Sequence, residues 1–502
     1  MNLAASMLER LEARGALPFL EGDGGEHGGA GLAGSARGVA EALLRAGVEP
    51  GARVALCLPK GPALVTCHVG VLAAGAVATP LNPAYPDRAL SSLIRRAEPA
   101  LGIADAGFCA RARVLTPDVP WWCAGEPIPD GCSALPDAQG SVAAVPRHAD
   151  DPALLVFTSG TTGSPKGVPL SHGNLRSNLA ALQRVWDWSG RDRLLHVLPV
   201  FHLHGLGVAL YGSLLAGSAV VLHERFDPER VLAEAGPAQI SLLMAVPTLL
   251  HRLLEASQRE SDTRLAGLRA VIYGSAPLAP ALFERFRERF GLEPVERYGM
   301  SETLMNASNP VHGVRKPGSV GPAVPGVEIR LREPVQGEGF EPVEGSGEVE
   351  VRGPNVFRGY WNDAEATAAA FDGEWFRTGD LGCFDDDGFL RLVGRAKEII
   401  VTGGYNVSPL AVERALEECT GVAELAVAAL PDTDLGERVA AFVVPKAGVA
   451  YDDLEGRLRA RAEEELPRYA WPREYRLCES LPRNALGKVE RARLCDRQVL
   501  RD

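Results

Sequence analysis

A chain of 502 residues exceeds what one hydrophobic core organises, so two or more domains are expected. Its 52 lysines and arginines stand against 64 acids, and the net charge of −12 argues against a general binder of nucleic acid or anionic membrane. No apolar run reaches the roughly 20 residues that span a bilayer. The nine cysteines are scattered without a C-x-x-C pair, which gives no support to a zinc or redox motif and fits a reducing cytoplasm, the expected location.

The first twenty residues, with acids among the basic residues and no apolar signal core, predict a short amphipathic surface helix. The glycine-rich run 21–35 (EGDGGEHGGAGLAGS) is expected to be a flexible loop. From about residue 51 to 300, short apolar runs alternate with helical patterns. ARVALCLP, ALLVFTSG, LLHVLPV, AVVLHE, ISLLMAVP and LRAVIYGSAP read as buried strands, and PERVLAEA and PALFERFRERFG as helices. The alternation predicts an α/β fold with doubly wound parallel or mixed sheets. Beyond residue 317, VEIRL, GEVEVRG and FLRLVG alternate apolar and polar residues, which predicts a small antiparallel, barrel-like β element. From about residue 396 the pattern is mixed α+β. The expected division is an N-terminal domain, 1–395, and a smaller C-terminal domain, 396–502.

The strongest local signal is TSGTTGSPKG, 158–167. Glycines let main-chain N–H groups approach phosphate oxygens, Ser159, Thr161 and Thr162 add hydroxyls, and Lys166 adds a mobile positive charge. No hydroxyl residue follows Lys166, so this is not the G-x-x-x-x-G-K-[ST] pattern.

The loop resembles the signature loop of the adenylate-forming superfamily, which includes the acyl-CoA synthetases. YGMSET (298–303), WFRTGDLG (375–382), VGRAKEIIVTGGYNVSP (393–409) and LPRNALGK (481–488) match later motifs of that superfamily in order and at similar spacing. The resemblance covers the chain from about residue 54 onward. It implies ATP and Mg²⁺ as cofactors and coenzyme A as co-substrate. It places ATP on Thr158, Ser159, Gly160, Thr161, Thr162, Gly163 and Lys166. Gly274, Ser275, Ala276, Glu296, Tyr298, Gly299, Met300 and Ser301 join the nucleotide site, with Asp380 and Arg395 at the ribose. Glu302, with Thr162, would hold Mg²⁺, for which a carboxylate oxygen is a suitable hard ligand. Lys488 is the implied catalytic lysine of the first half-reaction, with Glu302, Thr162 and Lys166. The resemblance further implies a C-terminal domain that rotates about Lys397, carrying Gly403, Gly404 and Tyr405 to the CoA thiol.

Arg297 stands where most acyl-CoA synthetases have a small or neutral residue. A guanidinium there suits the second carboxylate of a short dicarboxylic acid, and the competing reading is a structural ion pair with Glu296. With PVFHLHGLG (199–207) and GPNVFRGYW (353–361), the stretch is similar to the malonyl-CoA and methylmalonyl-CoA synthetases. His202, His204, Ser275 and Met300 would line the acid pocket. The alternatives are a ligase for short- or medium-chain or aryl acids, and an adenylation enzyme that loads a separate carrier protein. Two departures are an absent Thr-Tyr-x-Glu-Leu-like N-terminal segment and Ser301 where threonine is usual. The expected partners are small molecules, with the chain a monomer or a homodimer.

Overall fold

The computed structural model describes residues 2–137, 139–158, 165–236, 239–258, 265–278, 280–333, 346–403, 405–484 and 488–494. The expected strands all form, and they divide between two sheets. One runs Ser133–Ala134, Trp121–Cys123, Pro99–Ala104, Arg53–Cys57, Val77–Pro80, Pro152–Thr158, Lys166–Ser171. Its pairs are parallel except the last, which is an antiparallel hairpin. The other runs Leu304–Ser308, Val295–Met300, Ala270–Tyr273, Leu242–Ala245, Arg193–His196, Ala219–Leu222, Pro18–Gly22, Gly25–Gly28, parallel except for the two edge hairpins. Residues of both sheets meet in one large apolar core. The alternating β element appears as an antiparallel sheet of Glu328–Arg332, Gly347–Arg352, Trp375–Phe384, Phe371–Asp372 and Leu390–Arg395.

The C-terminal region has a sheet of its own, with Val422–Asp432 and Gly436–Pro445 at its centre. Helices Pro409–Leu416 and Tyr451–Glu465 pack against it around a separate core running from Ile400 to Tyr475. No described helix is long and apolar enough to cross a membrane.

The glycine-rich run corrects its expectation, because it is ordered. Asp23 and Gly24 form the turn of the hairpin Pro18–Gly22/Gly25–Gly28, and the helix Gly29–Arg45 follows directly. A β-carbon on Gly29 would stand 2.2 Å from the Leu11 carbonyl oxygen, and one on Gly28 2.9 Å from that of Ala16. Glycine serves close approach here rather than flexibility. The helix approached is Leu3–Arg14, the predicted amphipathic helix, which buries Leu3, Met7, Leu8 and Leu11 in the main core.

Two polar clips position the site. Ser171 caps helix His172–Val185 by accepting from Asn174 N at 3.0 Å. Asn174 Nδ2 then donates to the carbonyls of Pro354 and Val356 at 2.8 and 2.9 Å, which fixes the loop leading to Tyr360. One turn along, Asn178 exchanges hydrogen bonds with Met305 N and O and holds strand Leu304–Ser308.

Candidate active site

Strand Val295–Met300 is the spine of the site. In its parallel pairing with Ala270–Tyr273, Glu296 lies opposite Tyr273, whose hydroxyl donates to Glu296 Oε2 at 2.7 Å. Burial raises the Glu296 carboxyl to about 7. Arg297 is 3% exposed, and its Nε and Nη2 find no hydrogen-bond partner among the described residues. Burial pulls its guanidinium down to about 10, so it stays charged at neutral pH. The ion pair with Glu296 does not form.

A β-carbon on Gly274 would stand 2.8 Å from Arg297 Cζ and 2.7 Å from the Arg297 carbonyl oxygen. Glycine at 274 is therefore what gives the guanidinium its place. Gly274→Ala is expected to lower kcat/KM for the acid by about tenfold or more at saturating ATP, because a misplacement of about 1 Å suffices. Pyrophosphate release measures this, and an unchanged value would show that the guanidinium has room to spare.

The stretch 199–207 runs into a π-helical turn, His204–Leu210, in which Val208 N donates to Leu203 O at 2.9 Å. Such turns recur at functional sites. His196 Nε2 and the Gly205 carbonyl, 2.7 Å apart, hold it. Burial drives His196 down to about 3 and His202 to about 4, and His204 falls well below the usual imidazole range through burial and the Arg297 charge. All three are neutral at pH 7. Both ring nitrogens of His204 and the Nε2 of His202 are buried without partners among the described residues. Buried polar groups are rarely left so. A cation among neutral imidazoles with free nitrogens suits a small anion with several acceptor atoms, such as a carboxylate.

Asp380 is 5% exposed and lies opposite Arg395 across a strand pair, with Arg395 Nε 2.9 Å from its Oδ1. The Tyr298 hydroxyl donates to its Oδ2 at 2.6 Å. Ser275, on the cleft wall, takes a φ of +73°, which non-glycine residues seldom adopt and which marks functional turns. Gly299 is held to glycine by the Leu304 carbonyl, which a β-carbon would meet at 2.0 Å. Met300 and Ser301 lead into the turn closed by Thr303 N donating to Met300 O at 3.3 Å.

Glu302 is buried, and burial raises its carboxyl. The Tyr360 hydroxyl donates to Glu302 Oε1 at 3.0 Å, and Lys166 Nζ lies 4.6 Å from the centroid of the same tyrosine ring. Tyr360 thus joins the signature loop to the acid, a connection sequence reasoning missed. Its only signal was a place in 353–361. Thr158 pairs with Lys166 in an antiparallel hairpin, so the signature loop joins two strands rather than a strand and a helix. Ser159, Gly160, Thr161, Thr162 and Gly163 lie outside the described residues. Among the described residues no three ligating side chains cluster. A divalent cation at Glu302 would therefore rest mainly on phosphate oxygens and water, which suits Mg²⁺.

A cleft of about 1950 Å³ runs between the two domains, lined by Ser275, Arg297, Tyr298, Asp380, Arg395 and Lys488. Lys488 ends a short loop: its N–H donates to Asn484 Oδ1 at 3.0 Å, and its carbonyl accepts from Asn484 N at 2.9 Å. Burial is the main cause lowering its pKa, with Arg395 next. Lys397 sits in the exposed 3-10 turn Ala396–Glu398. Gly403 and Tyr405 are not brought into this cleft. Gly403 takes a φ of +59° at the turn between strands Ile400–Thr402 and Tyr405–Val407, and Gly404 lies outside the described residues. Tyr405, 56% exposed, stacks on Tyr469 at 4.5 Å.

The family model for AMP-binding enzymes matches residues 10–361, and that for the AMP-binding enzyme C-terminal domain matches 411–488. The chain is 35% identical to an oxalate–CoA ligase of Arabidopsis thaliana (89% of this chain, 88% of that one). It is 33% identical to a malonate–CoA ligase of the same plant (88% and 78%) and 35% identical to a feruloyl-CoA synthase of Amycolatopsis (90% and 90%). The crystal structure of ATP-bound MatB from Rhodopseudomonas palustris superposes with a TM-score of 0.89 at 36% identity, covering 99% of this chain and 100% of that one. The fold, the motifs and the interdomain cleft agree with these likenesses: the chain belongs to the AMP-binding enzyme family, among its ATP-dependent CoA ligases.

Proposed function

We propose that the protein joins a short dicarboxylic acid, malonate or methylmalonate, to coenzyme A. One carboxylate attacks the α-phosphorus of ATP and pyrophosphate leaves. The CoA thiol then attacks the acyl carbon of the acyl-adenylate and AMP leaves. The observation that carries the acid class is Arg297, a buried cation with Nε and Nη2 unbonded. Truncating a monocarboxylate's tail does not satisfy such a group, whereas a second carboxylate does. The likeness to ligases named for malonate and oxalate supports the same reading.

In this reading Arg297, with His202 and His204, holds the distal carboxylate, and Ser275 and Met300 line the acid. Asp380 and Arg395 take the ribose hydroxyls, 274–276 abut the adenine, and Lys166 with the signature loop faces the phosphates. Glu302 and Thr162 would hold Mg²⁺, which would supply charge neutralisation on the phosphates. Lys488 stabilises negative charge on the oxygens of the α-phosphate in the transition state. Residues 396–502 form the mobile domain, whose rotation about Lys397 withdraws Lys488 and brings 403–405 to the thiol channel. The separate C-terminal core supports a rigid-body motion.

The test is pyrophosphate release with ATP, Mg²⁺ and CoA against malonate, methylmalonate, succinate, acetate, butyrate, benzoate and octanoate. Preference for malonate or methylmalonate, with acyl-CoA as product, is expected. Preference for a monocarboxylate overturns the acid assignment, and product formation only on a carrier protein overturns CoA as acceptor. Lys397→Pro, which fixes φ near −65°, is expected to spare adenylation and block transfer to CoA. Unchanged overall turnover would remove the hinge from the mechanism.

A further inference from the structure

Arg491 lies three residues beyond Lys488, and all three of its guanidinium nitrogens are engaged. Nε donates to the Val427 carbonyl at 3.1 Å, Nη1 to Glu398 Oε2 at 2.9 Å, and Nη2 to both Glu413 oxygens at 2.8 Å. These partners come from three separate elements. Glu398 ends the 3-10 turn that contains Lys397, Glu413 lies in helix Pro409–Leu416, and Val427 is in the central strand Val422–Asp432. The bases of the Lys488 loop are tied together as well: Arg483 bridges to Val489, and Glu490 N donates to Pro482 O at 2.8 Å. Arg491 lines the cleft, but Nε and Nη2 are committed to Val427 and Glu413 and Nη1 already pairs with Glu398, which leaves it at most one N–H for a phosphate.

We infer that Arg491 is a positioning residue that clamps the Lys488 loop to the hinge turn through Glu398. Its pairing joins the base of the loop, at 488–491, to the turn and the adjoining helix. The angle taken at the hinge then sets where the lysine ammonium arrives. A planar guanidinium makes these bonds at once in a fixed fork, and a lysine at 491 cannot. Glu413 is buried, and burial chiefly raises its carboxyl, so it anchors Arg491 to the domain body. Glu398, whose side chain is 30% exposed, is the arm toward the hinge. The inference rests on the proposed role of Lys488.

The experiment is a cycle of Glu398→Gln, Arg491→Lys and the double variant, in the wild-type and Lys488→Ala backgrounds. Adenylation is followed by pyrophosphate release, thioester formation is started from supplied acyl-adenylate, and thermal unfolding is recorded for each protein. Each single variant is expected to lower kcat of adenylation about 10- to 100-fold, as a misplacement of about 1 Å does. KM for ATP and the thioester half-reaction stay within about twofold, the double variant is no worse than the worse single, and neither change adds to Lys488→Ala. Glu398→Gln leaves the Arg491–Glu413 pair in place, so it serves if Arg491→Lys does not fold. Equal loss of both half-reactions, or full loss on top of Lys488→Ala, would overturn the clamp. If Lys488→Ala abolishes adenylation while Glu398→Gln matches wild type, the clamp alone fails. If Lys488→Ala leaves adenylation intact, the proposed role of Lys488 fails first.

Discussion

Lys488→Ala is expected to lower the adenylation half-reaction by about 10²- to 10³-fold or more, the range for removing one group aimed at developing charge. Thioester formation from supplied acyl-adenylate should stay near the wild-type rate. The reason is placement. Lys488 shares a cleft with Ser275, Tyr298, Asp380 and Arg395, where the adenine, ribose and α-phosphate are assigned, whereas Gly403 and Tyr405 stand away from it. In the proposed reading, the described geometry corresponds to the first half-reaction. Burial and the nearby Arg395 lower the lysine pKa from its usual 10.5. A lowered lysine loses its charge earlier as pH rises, so kcat/KM for adenylation should fall on an alkaline limb below the usual lysine range. That limb should be absent in the variant. Equal loss of both half-reactions would contradict the assignment.

Much of this was open to inspection in the letters, for physical reasons. Buried parallel strands need apolar residues on both faces, so VALC, LLVF and AVIY announce themselves without context. The glycine-rich run shows the opposite case. Flexibility and close packing call for the same residue, and only the Leu11 carbonyl, 2.2 Å from a would-be β-carbon on Gly29, tells them apart. Tyr360 was hidden because its partners, Glu302 and Lys166, lie 58 and 194 residues away along the chain, and a tyrosine carries no charge to advertise the link. Glu296 beside Arg297 invited an ion pair, yet successive side chains on a strand point to opposite faces. Glu296 accordingly goes to Tyr273, while Arg297 lies against Gly274.

That isolation gives Arg297 the second large effect. Arg297→Met is expected to lower kcat/KM for malonate by about 10²- to 10³-fold, since breaking a buried hydrogen-bonded charge pair costs about 3–5 kcal/mol. Acetate and butyrate should lose far less than malonate, because neither brings a second carboxylate that the substitution would leave unpaired. Stability should move the other way. In the ligand-free protein the guanidinium is desolvated and its Nε and Nη2 are unbonded, so an apolar side chain of similar length removes a cost rather than a contact. The melting temperature of the variant should therefore equal or exceed that of wild type. Malonate should raise the melting temperature of wild type only, since a ligand stabilises the state to which it binds. A structural arginine predicts the reverse pattern, a variant that melts earlier and loses all acids alike. Measuring stability and specificity on the same protein separates the two, because an arginine kept for its substrate leaves the empty enzyme less stable than it would be without it.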